Sequence, residues 1–419
     1  MLYADNQGRI HDHPHLRMTG FQGLDPGPVS PGSLVEVPAF SKLFYMPGCP
    51  PVGLDPATGR CEVLEEGPVV GGIEPVNAVA AFLEPGIVRT LLPAADYKAK
   101  EYVLPSWAYT AVGFKRGRYW AAGFRVEENP RWDPRNYDDR ELVPAIRAYK
   151  AAHGSDRLVE HLVRCATVNH CFAAKNLFLG RWEAPLPVSR ACNAACLGCL
   201  SLQPEDGCPA SHQRIGFTPS TEEVVSLAVG HLERAPRSIV SFGQGCEGEP
   251  LTEHELIARS VREIRSRTGR GTVNMNTNGS MPGALEEILE SGLDSVRISL
   301  NSARPEVYEA YYRPTGYGFE DVVESLARAR SRGVYTMINY LVFPGISDRE
   351  AELEALMDLV ARTGVQFIHL KNLCIDPIHY LRALPEESSQ CLGVDQVAER
   401  LQQTFPHVSL GYFNRPVRD

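Results

Sequence analysis

Three features are absent from this 419-residue sequence, and each absence excludes a class of protein. Nowhere do 18 apolar residues follow one another, which argues against a membrane-spanning helix. The first ten residues lack the basic start and apolar run of a secretion signal. Eleven unevenly spaced cysteines are too few for a secreted disulfide scaffold. We therefore expect a cytoplasmic protein whose thiols are ligands, reactive groups or small buried side chains.

Positive charge is also scarce, since 42 lysines and arginines face 51 aspartates and glutamates and the formal net charge is -9. Phosphate contacts require clustered basic side chains, so this balance counts against a nucleic-acid partner, although a local basic groove stays compatible with it. The hydrophobic content of 43% and charged content of 22% are typical of a globular chain. The length suffices for two or three domains.

The first part of the chain, residues 1–180, is rich in proline and glycine and contains short apolar runs with strand character. Two of these runs, Trp107–Phe114 and Tyr119–Val126, flank a turn of about four residues and predict a β-hairpin. A helical pattern begins at Asp156 and leads into the next domain. We predict a smaller, mostly β N-terminal domain over residues 1–180, with substrate recognition as its expected role.

From Leu186 onward the chain repeats one unit, an apolar strand followed by a loop and an amphipathic helix. Capping boxes predict three helix starts, at Ser220 with Glu223, Thr252 with Glu255 and Ser347 with Glu350. Six consecutive units indicate a parallel sheet that right-handed crossovers curl into a partial (β/α)6 barrel over residues 181–384. Residues 385–419 form a C-terminal extension. The predicted strands are Leu186–Ser189, Ser238–Phe242, Thr272–Asn276, Ser295–Leu300, Tyr335–Val342 and Gln366–Leu370.

Three cysteines, Cys192, Cys196 and Cys199, lie in the loop after the first of these strands. Three thiolates on a four-iron cluster leave the fourth iron open to another molecule, whereas an electron-transfer cluster normally has four cysteines. Cys208 follows in the same loop and offers a fourth ligand, which would instead give a closed zinc or iron–sulfur site. Buried unligated thiols are the remaining alternative.

The C-x3-C-x2-C spacing at a strand end resembles the signature of the radical S-adenosylmethionine (SAM) superfamily. Gly198 departs from the family pattern, which usually has an aromatic residue before the third cysteine, and this indicates a divergent subgroup. The resemblance implies an oxygen-sensitive [4Fe-4S] cluster, SAM as the second cofactor, and reductive cleavage of SAM to a 5'-deoxyadenosyl radical. It also implies a one-electron donor such as flavodoxin or ferredoxin, and a substrate that is a peptide, a protein or a small metabolite.

A second motif, Gly248-Glu249-Pro250, follows the second predicted strand and is similar to the family's Gly-Gly-Glu-Pro segment. Glycine permits close approach of a ligand to the backbone, and exposed carbonyls with the Glu249 carboxylate can accept hydrogen bonds from the methionine amino group. A glycine-rich connection without a ligand is the alternative. The resemblance implies further SAM contacts at later strand ends, from Asn276, Asn278, Ser299, Asn301 and Gly345.

Two other cysteines are candidates for the chemistry on the substrate. Cys246 lies in the second loop and Cys374 lies after the sixth strand, so either can face the cavity as a hydrogen-atom donor or radical site. Buried, inert cysteine is the alternative for both. The cysteines outside the triplet lack the close spacing of an auxiliary cluster, and none is expected. A non-catalytic iron–sulfur or zinc-binding regulator or scaffold is the competing function.

Overall fold

A computed structural model describes residues 1–100, 102–104, 108–204, 210–387 and 389–419. The chain divides into two compact units, each assembled from three segments. None of the helices in these described ranges combines the length and apolar character needed to cross a membrane. The first unit comprises Met1–Glu128, Leu341–Met357 and Leu370–Tyr412, and the second comprises Asn129–Tyr340, Asp358–His369 and Phe413–Asp419.

The N-terminal part of the first unit is built from short antiparallel strands, as predicted. An eight-stranded sheet has the order β12-β14-β13-β11-β1-β2, with β5 on β14 and β6 on β11, and its core contains Leu2, Val79 and Ile87. The strands are β1 Leu2–Ala4, β2 Ile10–Asp12, β3 Thr19–Gln22, β4 Asp25–Pro28, β5 Leu34–Glu36, β6 Lys42–Met46, β7 Val52–Leu54, β8 Cys61–Val63, β9 Glu66–Val69, β10 Gly72–Pro75, β11 Asn77–Phe82, β12 Ile87–Arg89, β13 Tyr109–Lys115 and β14 Arg118–Arg125.

The predicted hairpin is confirmed, but its turn is tighter than predicted. Strands β13 and β14 pair antiparallel up to Lys115 opposite Arg118, so only Arg116 and Gly117 form the turn. Both residues have positive φ, 53° and 78°, as a two-residue turn that follows the strand twist requires. Trp107, predicted as the start of the first strand, lies outside the described residues.

Three helices follow the β-rich segment and belong to the second unit: α1 Asp139–His153, α2 Arg157–Thr167 and α3 Phe172–Leu179. The Asp156 side chain accepts a hydrogen bond from the Val159 amide and so caps α2. The end of the region predicted as mostly β is therefore helical.

A seven-stranded sheet in chain order carries the predicted repeat of strands and helices. Its first five strands, β15 to β19, pair parallel in sequence, which confirms the α/β architecture of a partial barrel. The strands are β15 Glu183–Pro185, β16 Ile239–Phe242, β17 Thr272–Thr277, β18 Ser295–Leu300, β19 Tyr335–Val342, β20 Phe367–Asn372 and β21 Ser409–Gly411. The helices are α4 Thr221–Arg234, α5 His254–Arg267, α6 Pro282–Glu290, α7 Pro305–Tyr312, α8 Phe319–Ser331, α9 Glu350–Thr363, α10 Pro377–Ala383 and α11 Val394–Thr404.

The first barrel strand ends earlier than predicted. β15 covers Glu183–Pro185, whereas the sequence pattern predicts Leu186–Ser189. The amides of Val188 and Ser189 donate to the carboxylate of Glu247 instead of a neighbouring strand, at 2.8 and 3.0 Å. The apolar run therefore continues past the strand into the cysteine loop.

Only one of the three predicted capping boxes is present as such. Ser220 and Glu223 cap α4 reciprocally. Thr252 lies in a 3-10 turn before α5, and its hydroxyl donates to the Glu249 carbonyl. The Ser347 hydroxyl accepts from the Phe343 amide at 2.9 Å, so it closes a turn before α9. The hydroxyls of Thr252 and Ser347 both bond to the backbone of the preceding loop. The predicted capping boxes at these two residues were therefore wrong.

Candidate functional site

The three cysteines predicted as cluster ligands are partly buried in the loop that follows β15. Burial raises the pKa of Cys196, and the charges of Cys199 and Cys192 raise it further. Burial is also the largest cause of the raised pKa of Cys192, where Glu249 and Cys199 add to the shift and Arg214 opposes it. These mutual effects indicate that the loop brings the three thiols into one neighbourhood.

Spacing among the sulfur atoms of Cys192, Cys196 and Cys199 distinguishes a cluster from a single metal ion. In the described part of the chain, the one group of three ligand atoms within 4.8 Å of one another does not include these cysteines. Thiolates on one tetrahedral zinc are only about 3.8 Å apart, as follows from Zn–S bonds of about 2.3 Å. Thiolates on separate irons of a cluster are farther apart because each binds a different atom. Cys192, Cys196 and Cys199 are therefore not arranged around a single ion by themselves. The zinc alternative also requires Cys208, which lies outside the described residues.

Helix α7 fixes the middle of the cysteine loop. The Ala195 amide donates to the Tyr312 carbonyl and the Leu197 amide to the Tyr311 carbonyl, each at 3.0 Å. Because those carbonyls lie in the last turn of α7, where intrahelical partners run out, the loop satisfies the helix end while the helix orders the loop.

Asn193, between the first two cysteines, connects this loop to the loop after β17. Its side-chain oxygen accepts from the Asn278 amide group and its own amide group donates to Ser280, both at 2.9 Å. Asn278, predicted as a SAM contact, thus lies beside the cysteine loop and is buried.

Glu247 joins the cysteine loop to the loop after β16. One of its oxygens accepts from the amides of Val188 and Ser189, and the other accepts from those of Gly243 and Gln244, at 2.5 and 3.2 Å. Burial raises the pKa of this carboxyl to about 7 despite the four amide donors. Sequence reasoning missed this residue, although its place directly before Gly248-Glu249-Pro250 was a usable signal.

Gly248 lies directly against the cysteine loop. Its amide donates to the Ser189 carbonyl at 2.7 Å, and the next amide, of Glu249, donates to the Ala191 carbonyl at 2.8 Å. A Cβ on Gly248 would stand 1.9 Å from the Ala191 oxygen. Only glycine permits this approach, which places the predicted SAM motif next to the residue preceding Cys192.

The Glu249 carboxylate is buried between two loops. One oxygen accepts from the Leu251 amide and the Thr277 hydroxyl, and the other accepts from the Asn278 amide at 2.8 Å. Burial raises its pKa to about 7. Glu249 therefore fixes the end of β17 relative to the second loop, while Pro250 opens the buried 3-10 turn that follows.

The remaining predicted SAM contacts of the second unit lie at strand ends and bond to the protein. Asn276 is buried and donates to the Phe242 carbonyl at 3.0 Å. The Ser299 hydroxyl accepts from the Asn339 amide group at 3.2 Å. Asn301 is fully buried and its amide group donates to the Val307 carbonyl in the first turn of α7. This hydrogen bond orders the start of α7. The contact of Asn301 with SAM stays a prediction.

Comparison with known proteins adds to this geometry. The radical SAM superfamily profile matches residues 186–359, the segment that contains both loops. This matched segment belongs to the radical SAM superfamily. Its cofactors are accordingly a [4Fe-4S] cluster and SAM, as predicted.

Individual radical SAM relatives are distant. The chain is 28% identical to GTP 3',8-cyclase of Heliobacterium modesticaldum over 44% of its length and 53% of the relative's. It is 25% identical to the FeMo cofactor biosynthesis protein NifB of Klebsiella pneumoniae, over 65% of its own length and 57% of the relative's. The chain thus spans about half the length of these curated relatives. Among solved structures, Streptococcus suis SuiB bound to SAM aligns with a TM-score of 0.39 at 10% identity, over 75% of this chain and 72% of that one.

Two predicted residues of the radical SAM site belong to the first unit. Gly345 has a φ of 89°, and a Cβ there would stand 1.9 Å from the amide nitrogen of Gly23, which donates to the Pro344 carbonyl. Cys374 is partly buried, its thiol lies 3.6 Å from the Asn372 carbonyl oxygen, and burial raises its pKa. Close packing against Gly23 thus accounts for a glycine at position 345. The SAM contact of Gly345 and the substrate chemistry of Cys374 stay predictions.

Arg214 is a basic neighbour of the cysteine loop that sequence reasoning missed. A terminal guanidinium nitrogen lies 3.7 Å from the Cys199 sulfur, and the Nε donates to the Ser201 hydroxyl at 3.1 Å. No motif marks an arginine fifteen positions after the third cysteine, so only the folded loop reveals it. Cys208, weighed above as a fourth ligand, lies outside the described residues.

Cys246 is buried in the second loop, 2% exposed, among the side chains of α2. Its ligand atom and those of His161 and Cys165 lie within 4.8 Å of one another. Cys246 and His161 lower the pKa of Cys165, whereas the same pairing and burial raise that of Cys246. Cys246 is predicted as a hydrogen-atom donor, but its thiol already lies beside His161 and Cys165. Its role with the substrate stays a prediction.

Proposed function

We propose that this chain cleaves SAM reductively at a [4Fe-4S] cluster held by Cys192, Cys196 and Cys199. The resulting 5'-deoxyadenosyl radical would remove a hydrogen atom from a peptide, protein or small-molecule substrate. The observation that carries the proposal is the backbone pairing of Gly248 with Ser189. It holds the motif expected to bind SAM against the loop expected to hold the cluster.

The proposed division of labour follows from the contacts. Cys192, Cys196 and Cys199 would hold the cluster as thiolates, so binding would release the protons that burial retains on Cys192 and Cys196. Glu247 holds the two loops in register through four amides. Such fixed positioning brings the reacting groups together without further ordering during the reaction.

We assign SAM to the surface formed by Gly248, Glu249 and Pro250, with further contacts from Asn276, Asn278, Ser299, Asn301 and Gly345. Glu249 is a positioning residue in this proposal because three donors already occupy its oxygens. The backbone of the loop and the neighbouring amide side chains would then meet the methionine and ribose. Cys374 remains the candidate for direct chemistry on the substrate.

Partners and domain roles belong to the same proposal. A radical SAM enzyme needs an electron donor, for which we propose a flavodoxin or ferredoxin, in the cytoplasm. The β-rich domain, residues 1–180, would recognise the substrate, and residues 181–384 and 385–419 would form the barrel and its extension. One relative is named as a GTP cyclase, so GTP enters the substrate screen beside peptides and small metabolites.

The deciding experiment is anaerobic. The chain is reconstituted with iron and sulfide, reduced with dithionite, mixed with SAM and assayed for 5'-deoxyadenosine. We expect product from the unaltered chain and from Cys208→Ala, and none from Cys192→Ala. A reconstituted chain that binds SAM and forms no 5'-deoxyadenosine would instead support the non-catalytic regulator or scaffold. Loss of the cluster in Cys208→Ala would support ligation by four cysteines.

A further inference from the structure

We propose that His161, Cys165 and Cys246 form a second metal site, separate from the cluster loop, which binds one Zn²⁺ ion. Within the described part of the chain this is the only set of three potential ligand atoms within 4.8 Å of one another. Two residues come from α2 and the third from the loop after β16, so an ion there would connect a helix to the loop that carries Gly248 and Glu249.

The distances suit a tetrahedral ion. The Cys165 sulfur lies 3.6 Å from Nε2 of His161. Zinc bonds of about 2.3 Å to sulfur and about 2.05 Å to nitrogen at a tetrahedral angle place those atoms about 3.6 Å apart. Helical spacing accounts for the pair, because residues four apart on α2 project from the same face. Cys246 is brought to them by the fold.

Burial and donor type both favour zinc over hard cations. Cys165 and Cys246 are 1% and 2% exposed, and thiolate with imidazole is the donor set that zinc prefers, whereas calcium and magnesium take oxygen ligands. His161 is only partly buried, so water can reach the fourth coordination position. Two buried thiols acting as small apolar side chains would need no imidazole within coordination distance.

The site has a structural consequence that does not depend on SAM cleavage. Cys246 directly precedes Glu247, whose carboxylate accepts from four backbone amides, and its own carbonyl accepts from the Ile215 amide at 2.8 Å. An ion at Cys246 would therefore restrain this loop next to Glu247. Its role would be to brace the loop, with no part in the transfer of hydrogen.

The test uses the full-length chain with Cys192, Cys196 and Cys199 all changed to alanine, so that the cluster cysteines cannot bind the probe. Under anaerobic, reducing conditions the chain is stripped with a chelator and titrated with Co²⁺, and then with Zn²⁺. We expect one equivalent of Co²⁺ with the absorption of a tetrahedral thiolate complex, and its displacement by one equivalent of Zn²⁺. Absence of binding, or a spectrum without thiolate-to-cobalt charge transfer, would overturn the proposal.

Single substitutions in that background identify the ligands. His161→Ala and Cys165→Ser should weaken Co²⁺ binding about a hundredfold or more, because each removes a direct ligand. His254→Ala is the matched control, since this imidazole is likewise partly buried in the same unit but lies outside the three-residue set. Circular dichroism checks that each variant folds. Loss in the control with retention in His161→Ala would overturn the assignment, as would a Cys165–Cys246 disulfide that persists under the reducing conditions.

Discussion

Two groups of cysteines in one unit of this protein contrast in how they are assembled. Cys192, Cys196 and Cys199 are neighbours in sequence, yet their sulfur atoms do not all lie within 4.8 Å of one another. Cys165 and Cys246 are separated by 81 positions, yet with His161 their ligand atoms lie within 4.8 Å of one another. Of these two groups, only the second has the spacing of a single-ion site.

The contrast teaches what sequence spacing can and cannot detect. A short loop fixes the approximate separation of its own residues whatever the rest of the fold does, so the triplet is recognisable from spacing alone. Convergence of α2 with the loop after β16 depends on the packing of the whole unit. Spacing led to the prediction that the cysteines outside the triplet form no auxiliary cluster, but it could not show that the fold brings Cys165 and Cys246 close to His161.

The largest expected effect tests whether the two groups of cysteines are independent. Cys196→Ala removes a thiolate from the cluster loop, and we expect iron content and 5'-deoxyadenosine formation to fall roughly a thousandfold or below detection. Cys165→Ser should leave the iron content unchanged. Iron analysis and product assays on both variants decide this. Equal loss of iron in both would mean that the groups form one centre.

A smaller effect tests the backbone contact between the two loops. In Gly248→Ala the new methyl group meets the Ala191 carbonyl oxygen at 1.9 Å, so the loops must separate. We expect the free energy of unfolding to fall by about 1–3 kcal/mol, together with lower iron content. Gly245→Ala in the same loop is the control, since its nearest neighbour would be 3.6 Å away. Equal urea midpoints for the two variants would contradict the assigned contact.

Much of the barrel was predictable because its strands are apolar runs between helix signals. Ser295–Leu300 and Tyr335–Val342 match the predicted strands residue for residue. The first strand does not match its prediction, because the buried carboxylate of Glu247 accepts hydrogen bonds from the amides that a longer strand would have used. Side-chain competition of this kind depends on a residue almost sixty positions away and leaves no local pattern.

The predicted SAM contacts show the same limit. The motif placed Glu249 correctly beside the cysteine loop, but its hydrogen bonds to Thr277 and Asn278 come from the tertiary fold. Asn301 is likewise at the expected strand end and donates to the first turn of α7. Position along a strand was predictable from sequence, whereas the bonding partner was not.

A pH titration sharpens the account of the second loop. Burial raises the pKa of Glu249 in the folded chain to about 7, above its usual 4.5, so the folded state binds this proton more tightly than the unfolded state. Stability from this group is complete below pH 4.5 and is lost as the pH rises through about 7. We expect the free energy of unfolding to decrease by about 1–3 kcal/mol over this window. Glu249→Gln should reduce the slope, while Glu247, whose pKa is also raised to about 7, keeps its own share. The exposed Glu255→Gln should leave the slope unchanged. An unchanged slope in Glu249→Gln would refute the assignment.

The smallest expected effect concerns the charge beside the cluster loop. The Arg214 guanidinium lies 3.7 Å from the Cys199 sulfur, where a positive charge stabilises the extra electron of a reduced cluster. Arg214→Gln should lower the reduction potential by about 30–60 mV, equivalent to roughly three- to tenfold in the equilibrium for one electron. Product formation with a weak reductant would slow accordingly, while iron content stays constant. Arg190→Gln, an exposed arginine at the start of the same loop, should leave the potential unchanged. A potential that shifts equally in both variants would show that Arg214 acts only through the general charge of the surface, and that its contact with Cys199 has no specific effect on the cluster.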